Sequence, residues 1–293
     1  PEWAGAQLPK RPLISHKGTF GHLLVVAGSR NYVGAAFLVA QSAMRVGAGL
    51  VTLATPKSIY PIVAGKLTEV IHLPLPEDNQ GRVHPSAVEV IGPKLDSYDA
   101  LAVGSGMGWS SGTTEFMRQL LLDDSPTALP AVVDADGLNN LSRLNNWWRR
   151  MSRPAVVTPH PGEMATLTNT LASEVQQDRV QSAQHWSSKW GVTVVLKGAN
   201  TVIAAHDGPA RVSPFANPGL ASGGTGDVLT GIIGGLMAQG LTPELAGCCG
   251  VYLHGRAGEV VTQKLGDAGT LATDLIQHLP EGIKWLKDAA KSF

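Results

Sequence analysis

Short apolar runs alternate with segments of helical spacing along most of this chain. The segment 34–46, for example, places apolar residues at Ala36, Val39 and Ala43, a spacing that predicts one face of a helix. The apolar runs cover residues 23–27, 50–54, 100–103, 131–133, 155–157 and 192–196. Short runs separated by helices predict the buried strands of a parallel sheet that helices cover on both faces. We therefore predict an α/β fold with a mostly parallel central sheet.

The two ends of the chain follow other patterns. Residues 201–205 and 210–213 flank the turn sequence His-Asp-Gly-Pro, which predicts a β-hairpin. From residue 227 onwards the pattern is helical, with breaks near 240–243 and 266–269. Residues 1–15 are predicted to be an irregular N-terminal segment. Because no internal repeat or linker divides the rest, we expect a single domain over residues 1–293.

The most informative segment is the string Asn-Pro-Gly-Leu-Ala-Ser-Gly-Gly-Thr-Gly-Asp at 217–227. Its glycines leave backbone N–H groups accessible, and the helix pattern that follows adds a helix N-terminus, which favours phosphate. The backbone of Gly224, Thr225 and Gly226 is therefore the predicted oxyanion site. Asp227 stands where a carboxylate can take a proton from a hydroxyl group that faces a phosphate. For the whole string we favour this interpretation over a first-turn acid that only stabilises the helix dipole.

A second motif, Thr-Pro-His-Pro-Gly-Glu at 158–163, directly follows an apolar run. Two prolines fix the backbone around His160, so that its ring can face a ligand. Glu163 opens the next predicted helix, where the dipole favours a carboxylate that can hold a magnesium-bound water. A Pro-stiffened loop with a capping Glu163 explains the same residues equally well.

Three further segments follow predicted strands, where ligands bind in parallel sheets. Residues 197–201 join two strands, and Lys197 can neutralise a phosphate, although an ordinary hairpin with a solvated lysine remains open. Asp134 either faces the site and assists a metal, or belongs with Asp136 to a strand-end turn in which Asp136 caps the next helix. The Gly-Ser-Gly-Met-Gly string at 104–108 resembles a phosphate-binding loop. The chain has neither a Walker string nor a complete dinucleotide-binding Gly-x-Gly-x-x-Gly fingerprint.

Composition limits the classes of partner. Lys plus Arg and Asp plus Glu both number 23, so the formal net charge is zero and neither nucleic acid nor an anionic membrane is indicated as a partner. Cys248 and Cys249 are adjacent in an apolar run and cannot form a disulfide framework, so we expect a reducing, cytoplasmic setting. No apolar run reaches the roughly 18 residues that a membrane span requires.

Taken together, the motifs resemble those of the ADP/ATP-dependent NAD(P)H-hydrate dehydratases, a family of the ribokinase-like superfamily. The matching strings lie at 16–18, 34–36, 134–139, 158–163, 197–201, 217–227 and 271–275. Thr-Pro-His-Pro-Gly-Glu combined with Gly-Gly-Thr-Gly-Asp separates this family from sugar kinases. The family usually has Gly-Pro-Gly-Leu-Gly where this chain has Ser105 and Met107 between the same glycines. The resemblance implies a ribokinase-like three-layer α/β/α sandwich.

The resemblance also implies an activity: dehydration of the S-form of hydrated NADH or NADPH, by phosphorylation of the ring hydroxyl and elimination of phosphate. ADP or ATP is the implied phosphoryl donor, and Asp227 is the implied base. The implied contacts of the hydrate are Ala35, Gly106, His160 and Asp227, and those of the nucleotide are Lys197, Gly198, Ala199, Asn200, Thr201 and Gly226. Magnesium would bridge the nucleotide phosphates, with waters on Asp134 or Glu163 as further contacts.

Further implications of the family are a homotetramer and a functional link to an NAD(P)H-hydrate epimerase. One alternative is a small-molecule kinase of the same fold, acting on a vitamin precursor or a sugar, which would release a stable phosphorylated product. The other is a non-catalytic nucleotide-binding module. We disfavour the second because a pure binding protein has no need of Asp227 after the glycine loop.

Overall fold

A computed structural model describes residues 1–123 and 129–291. In this part of the chain the strands are β1 (His22–Val26), β2 (Leu50–Pro56), β3 (Ile71–Leu75), β4 (Ala100–Val103), β5 (Ala131–Val133), β6 (Ala155–Val157), β7 (Thr193–Leu196), β8 (Val202–Ala204) and β9 (Arg211–Val212). They form one sheet in the order β3-β2-β1-β4-β5-β6-β7-β8-β9. The pairs from β3 to β7 are parallel, whereas β7–β8 and β8–β9 are antiparallel. The predicted parallel sheet and the predicted hairpin are both confirmed.

The sheet is buried on both faces, and β1 shows why its strands are continuous apolar runs. Leu23 and Val25 pack into the core on one face of the sheet, and Leu24 and Val26 pack into the core on the other. Successive side chains of a strand point to opposite faces, so a strand between two helical layers must be apolar at every position. The structure therefore confirms the three-layer α/β/α architecture.

The helical layers contain the following helices in the described residues: α1 (Glu2–Gln7), α2 (Val33–Arg45), α3 (Tyr60–Ala64), α4 (Ala87–Ile91), α5 (Ser111–Leu121), α6 (Asp136–Leu141), α7 (Pro161–Thr168), α8 (Ala172–Gln177), α9 (Arg179–Trp190), α10 (Thr225–Ala238), α11 (Pro243–Leu265) and α12 (Ala272–Lys291). Helix α10 packs closely on α2: a Cβ added at Gly231 would lie 2.2 Å from the carbonyl oxygen of Val39. This close contact fixes the N-terminus of α10 against the sheet.

Two elements differ from the prediction. The expectation of an irregular segment over residues 1–15 is wrong for Glu2–Gln7, which form α1; Ala4 and Leu8 are buried there, and the helix packs on α12. Strand β3 was not predicted; its Pro74 has no N–H to donate to a ladder, which agrees with the position of β3 at the edge of the sheet. Within the described residues no helix combines the length and apolar character that would cross a bilayer.

Candidate active site

The predicted functional segments meet at the carboxyl edge of the parallel strands. Asp134 follows β5, Thr158 follows β6, Lys197 follows β7, and the N-terminus of α10 faces all three. A Cβ added at Gly226 in α10 would lie 3.6 Å from Lys197 Nζ and 4.0 Å from Asp134 Oδ2. Segments that are far apart in the chain are thus brought into one site, as the position of ligands in parallel sheets predicts.

The N-terminus of α10 provides unpaired backbone donors. Of the predicted oxyanion residues, Thr225 already donates from its backbone N–H to Ser222 O at 3.4 Å. The first helical hydrogen bond runs from Val228 N to Gly224 O, 3.1 Å, so the N–H groups of Gly226 and Asp227 have no acceptor within the helix. Gly224 has a φ of +89°, which turns the chain into the helix in a conformation that glycine adopts without strain. The Thr225 hydroxyl donates to the Leu220 and Ser222 carbonyls at 2.8 and 2.9 Å and so fixes the loop itself. The arrangement is suited to binding an anion.

Asp227 lies part-buried at this N-terminus. Burial raises the pKa of its carboxyl from 3.8 to about 6, and the negative charge of Asp134 raises it further, while Ser105 and Lys197 oppose the shift. A carboxylate with a pKa closer to neutrality is a stronger base than an exposed aspartate and is still ionised at pH 7. The electrostatic setting of Asp227 therefore fits the predicted role of a general base.

Asp134 is the centre of a buried network. Its carboxylate, 2% exposed, accepts hydrogen bonds from Thr158 Oγ1 at 2.7 Å, Lys197 Nζ at 2.6 Å and Thr230 Oγ1 at 2.8 Å. Burial would lower the pKa of Lys197, but the charges of Asp134 and Glu163 outweigh it and raise that pKa, so the ammonium group stays charged. The network holds a positive charge beside the N-terminus of α10.

His160 and Glu163 form a reciprocal cap at the start of α7. The His160 ring accepts at Nδ1 from the backbone N–H groups of Gly162 and Glu163, and Glu163 Oε2 accepts from His160 N at 2.7 Å. The capping alternative from the sequence is thus observed. Because Nδ1 is an acceptor, the neutral ring carries its proton on Nε2, and the side chain is 56% exposed. His160 therefore caps a helix and can also offer a donor to a ligand.

A cavity of about 430 Å³ lies on the β7 side of Asp227. Its lining includes Lys197, Gly198, Ala199, Thr201, Asn217, Thr225, Gly226 and His254. Of the predicted nucleotide-contacting loop, Asn200 lies outside this lining and its side-chain amide donates to Ser213 O at 3.0 Å. His254 donates from Nε2 to Thr225 O at 2.9 Å, and burial lowers its pKa to about 4. The neutral His254 thus lines the cavity and stabilises the glycine loop through this hydrogen bond.

The remaining predicted contacts of the hydrate are Ala35, at the start of α2, and Gly106, in the loop after β4. The loop after β4 approaches the start of α2 so closely that a Cβ added at Gly106 would lie 2.7 Å from the Cβ atoms of Ala35 and Tyr32. Gly106 has a φ of +65°, which also favours glycine. A second pocket, of about 200 Å³, begins beside Tyr32 and Gly108. The cavity therefore lies beside Gly226 of α10, and the second pocket lies beside the loop after β4.

Sequence reasoning singled out neither Thr230 nor the Thr158 hydroxyl. Both are buried and both donate to Asp134. The available signal was a hydroxyl-bearing residue at an apolar position: Thr230 interrupts the buried face of α10, one turn after Gly226. Its hydroxyl can also reach the Gly226 carbonyl, 3.1 Å away, as threonines inside helices commonly do. This local bond does not predict, before the fold is known, that Thr230 also donates to Asp134, which is 96 residues away in the chain.

The fold and this arrangement define a class of protein: the chain is a ribokinase-like α/β protein whose site is arranged around an anion-binding helix N-terminus. A ribokinase-like superfamily protein from Enterococcus faecalis V583 has the same fold, with a TM-score of 0.83 and 25% identity over 98% of this chain and 95% of that one. The family model for NAD(P)H-hydrate dehydratase matches residues 23–281. The chain belongs to that family, as the motif resemblance predicted.

Two relatives show the extent of the similarity. The bifunctional NAD(P)H-hydrate repair enzyme of Moorella thermoacetica is 41% identical over 290 residues, which is 99% of this chain and 54% of that protein. The chain therefore spans about half the length of the bifunctional relatives that it matches. The ADP/ATP-dependent NAD(P)H-hydrate dehydratase of Bacillus subtilis, co-crystallised with ATP/Mg²⁺, superposes with a TM-score of 0.83 and 32% identity over 97% of this chain and 96% of that one.

Proposed function

We propose that this protein dehydrates the S-form of hydrated NADH and NADPH in an ADP- or ATP-dependent reaction. The observation that carries the proposal is the position of Asp227: a part-buried carboxylate with a raised pKa stands at the N-terminus of α10, beside N–H groups that have no acceptor within the helix. The cavity beside Gly226 is suited to the phosphoryl donor, and the hydrated ring is assigned to Asp227, on the side of Ala35 and Gly106. The family and its ADP/ATP-dependent member from Bacillus subtilis support this assignment.

In the first step Asp227 takes the proton of the ring hydroxyl while that oxygen attacks the terminal phosphoryl group of the nucleotide. The new O–P bond forms as the bond to the leaving nucleotide breaks, which converts ADP to AMP. The N–H groups of Gly226 and Asp227, together with the Lys197 ammonium, stabilise the negative charge on the transferred group. Catalysis of this kind depends mainly on positioning and electrostatics, which a rigid helix N-terminus provides.

In the second step the phosphorylated ring loses phosphate. The C–O bond breaks with both electrons going to the phosphate oxygen, and the ring nitrogen donates its lone pair to the carbon that loses the oxygen. Loss of a proton from the neighbouring ring carbon then restores the dihydropyridine. Hydroxide is a poor leaving group and phosphate a good one, which is the reason for the nucleotide requirement.

The residues present allow for Mg²⁺ as an ion that arrives with the nucleotide. Among the described residues no group of three or more His, Cys, Asp or Glu side chains could hold a metal. Asp134 is already the acceptor of three donors. Glu163 Oε1 lies 3.6 Å from His160 Nε2, beyond hydrogen-bond distance, and is the better placed oxygen for a magnesium-bound water. Bound there, the ion would neutralise charge on the nucleotide phosphates.

The proposed repair reaction implies a functional link to an NAD(P)H-hydrate epimerase. Because only the S-form is consumed, an activity that interconverts the two epimers makes the other form available. The bifunctional names of the longer relatives agree with such a link. A cytoplasmic location and a homotetrameric assembly remain predictions.

The test follows absorbance of the reduced nicotinamide near 340 nm in a mixture of hydrated NADH, magnesium and either ADP or ATP. The expected result is a nucleotide-dependent rise in absorbance with release of one phosphate per NADH restored. A stable phosphorylated product without recovery of absorbance would instead indicate a small-molecule kinase. Nucleotide binding without turnover of the hydrate would indicate a binding module and would contradict the proposal.

A further inference from the structure

The second pocket is polar and lies beside the loop after β4, whose Ser105 lies near Asp227. It is lined by Ser29, Asn31, Tyr32, Gln80, Arg82, Gly108, Trp109 and Asp136. Tyr32 lies against Gly106, and Gly108 N donates to Asp136 Oδ2 at 2.8 Å. The charge of Asp136 also contributes to raising the pKa of Asp227. A ligand whose reacting end lies at Asp227 can therefore extend into this pocket.

The chemistry of the lining matches a sugar and a diphosphate. Asp136 uses one carboxylate oxygen for Gly108, which leaves the other able to accept from a sugar hydroxyl. The Arg82 guanidinium is held in place by Asp78, with contacts of 2.9 and 2.8 Å, and faces the pocket wall at Gly108. Guanidinium groups fixed in this way recognise phosphate oxygens well.

Trp109 at the rim offers a surface for a base. It is 53% exposed, although it directly follows the buried loop of β4. The Arg143 guanidinium lies 4.1 Å from the centre of its ring and stacks on it, which fixes the orientation of the indole. Exposed, oriented aromatic rings are the usual platforms on which nucleobases stack.

The position of the two pockets decides which molecule fits here. The phosphoryl donor is assigned to the cavity beside Lys197 and the N-terminus of α10, whose lining shares no residue with the second pocket. A hydrated dinucleotide with its ring at Asp227 must therefore extend away from that cavity. The inference rests on the proposed function, because it assigns the rest of that substrate.

We propose that the pocket of Ser29, Arg82 and Asp136 binds the sugar and diphosphate part of the hydrated dinucleotide, and that Trp109 stacks on its adenine. The protein then recognises its substrate along the whole dinucleotide rather than by the nicotinamide ring alone. Hydrated reduced nicotinamide mononucleotide, which has the ring but no adenine, is the matched truncated substrate.

The test compares Trp109→Ala, Trp109→Phe and the parent on hydrated NADH and on hydrated reduced nicotinamide mononucleotide, both with ADP and magnesium. Loss of base stacking is expected to lower kcat/KM for hydrated NADH about 5- to 150-fold in Trp109→Ala. The value for the mononucleotide should stay within about two-fold. Trp109→Phe keeps an aromatic face and should recover most of the loss. Trp285→Ala is the matched control, because Trp285 is also exposed and also stacked by an arginine, Arg256, but lies on another surface.

Each outcome has a distinct meaning. A loss confined to the dinucleotide supports the subsite. Equal losses on both substrates, no loss on either, or the same loss in Trp285→Ala would overturn it. If the parent turns over hydrated NADH but not the hydrated mononucleotide, Trp109→Ala must lower the activity on hydrated NADH and Trp109→Phe must restore it. Any other result would overturn the subsite. A parent that restores NADH from neither hydrate would refute the proposed function itself, which distinguishes the two failures.

Discussion

Replacement of Asp227 by asparagine tests the base assignment most directly. The amide keeps the shape of the side chain and can still accept a hydrogen bond, but it cannot take a proton. Loss of a general base typically lowers the rate about 100- to 10,000-fold. ADP binding should survive and become somewhat tighter, because a negative charge near the phosphate site is removed.

The raised pKa of Asp227 adds a pH signature. Since the carboxyl must be ionised to act, kcat/KM of the parent should fall about ten-fold per pH unit below its pKa of about 6. An unperturbed aspartate would produce this fall only near pH 4. The residual activity of Asp227→Asn should lack this acid limb, whereas any limb that comes from the nucleotide phosphates would remain in both proteins.

The same pKa predicts the effect of the variant on stability. A pKa raised on folding from 3.8 to about 6 corresponds to at most about 3 kcal/mol of preference for the neutral carboxyl in the folded state. That stabilisation is complete below pH 3.8 and is lost as the pH rises to about 6. Asp227→Asn is neutral at every pH. Its free energy of unfolding should therefore match that of the parent at acid pH and exceed it above pH 6.

Two assays check these expectations: turnover of hydrated NADH from pH 5 to 8, and urea unfolding of the ligand-free protein from below pH 3.8 to above pH 6. Turnover of Asp227→Asn within a few-fold of the parent would refute the base assignment. So would an unchanged acid limb, or a stability difference that does not grow with pH. Asp227 would then be a first-turn residue that only stabilises its helix.

Three further substitutions probe the surrounding groups. Lys197→Ala should weaken ADP binding in calorimetry and also lower the free energy of unfolding by about 3–5 kcal/mol, because it leaves the buried Asp134 unpaired. Adding Asp134→Asn should restore stability but not affinity; recovery of both would exclude Lys197 from the nucleotide site. His160→Ala should raise KM for the hydrate more than KM for ADP in steady-state kinetics. A rise in KM for ADP alone would show that the hydrate and nucleotide halves of the site have been assigned the wrong way round. Thr230→Val removes a donor to Asp134 and should cost about 1–3 kcal/mol in urea unfolding, with Thr230→Ser recovering most of it; equal stability of all three proteins would contradict the network.

Local patterns explain why so much of the site was predictable. Strands buried on both faces are apolar at every position, and polar residues that directly follow them must lie at one edge of a parallel sheet. Asp134, His160, Lys197 and Asp227 were located by this rule and by the motifs around them. The ligand contacts assigned to individual residues through the family resemblance remain predictions.

By itself, the sequence determined the type and order of most elements, the parallel sheet and the edge at which the site lies, because periodicity and turn chemistry act between near neighbours in the chain. Only the tertiary structure decided which side chains meet across that edge. Lys197 is 63 residues from Asp134, and Thr230 is 96 residues from it, yet all three share one buried network. The same holds for the pocket beside Trp109, which three separate loops and the start of α6 enclose. Such contacts depend on the order of strands in the sheet and on the packing of α10, and no local pattern specifies either.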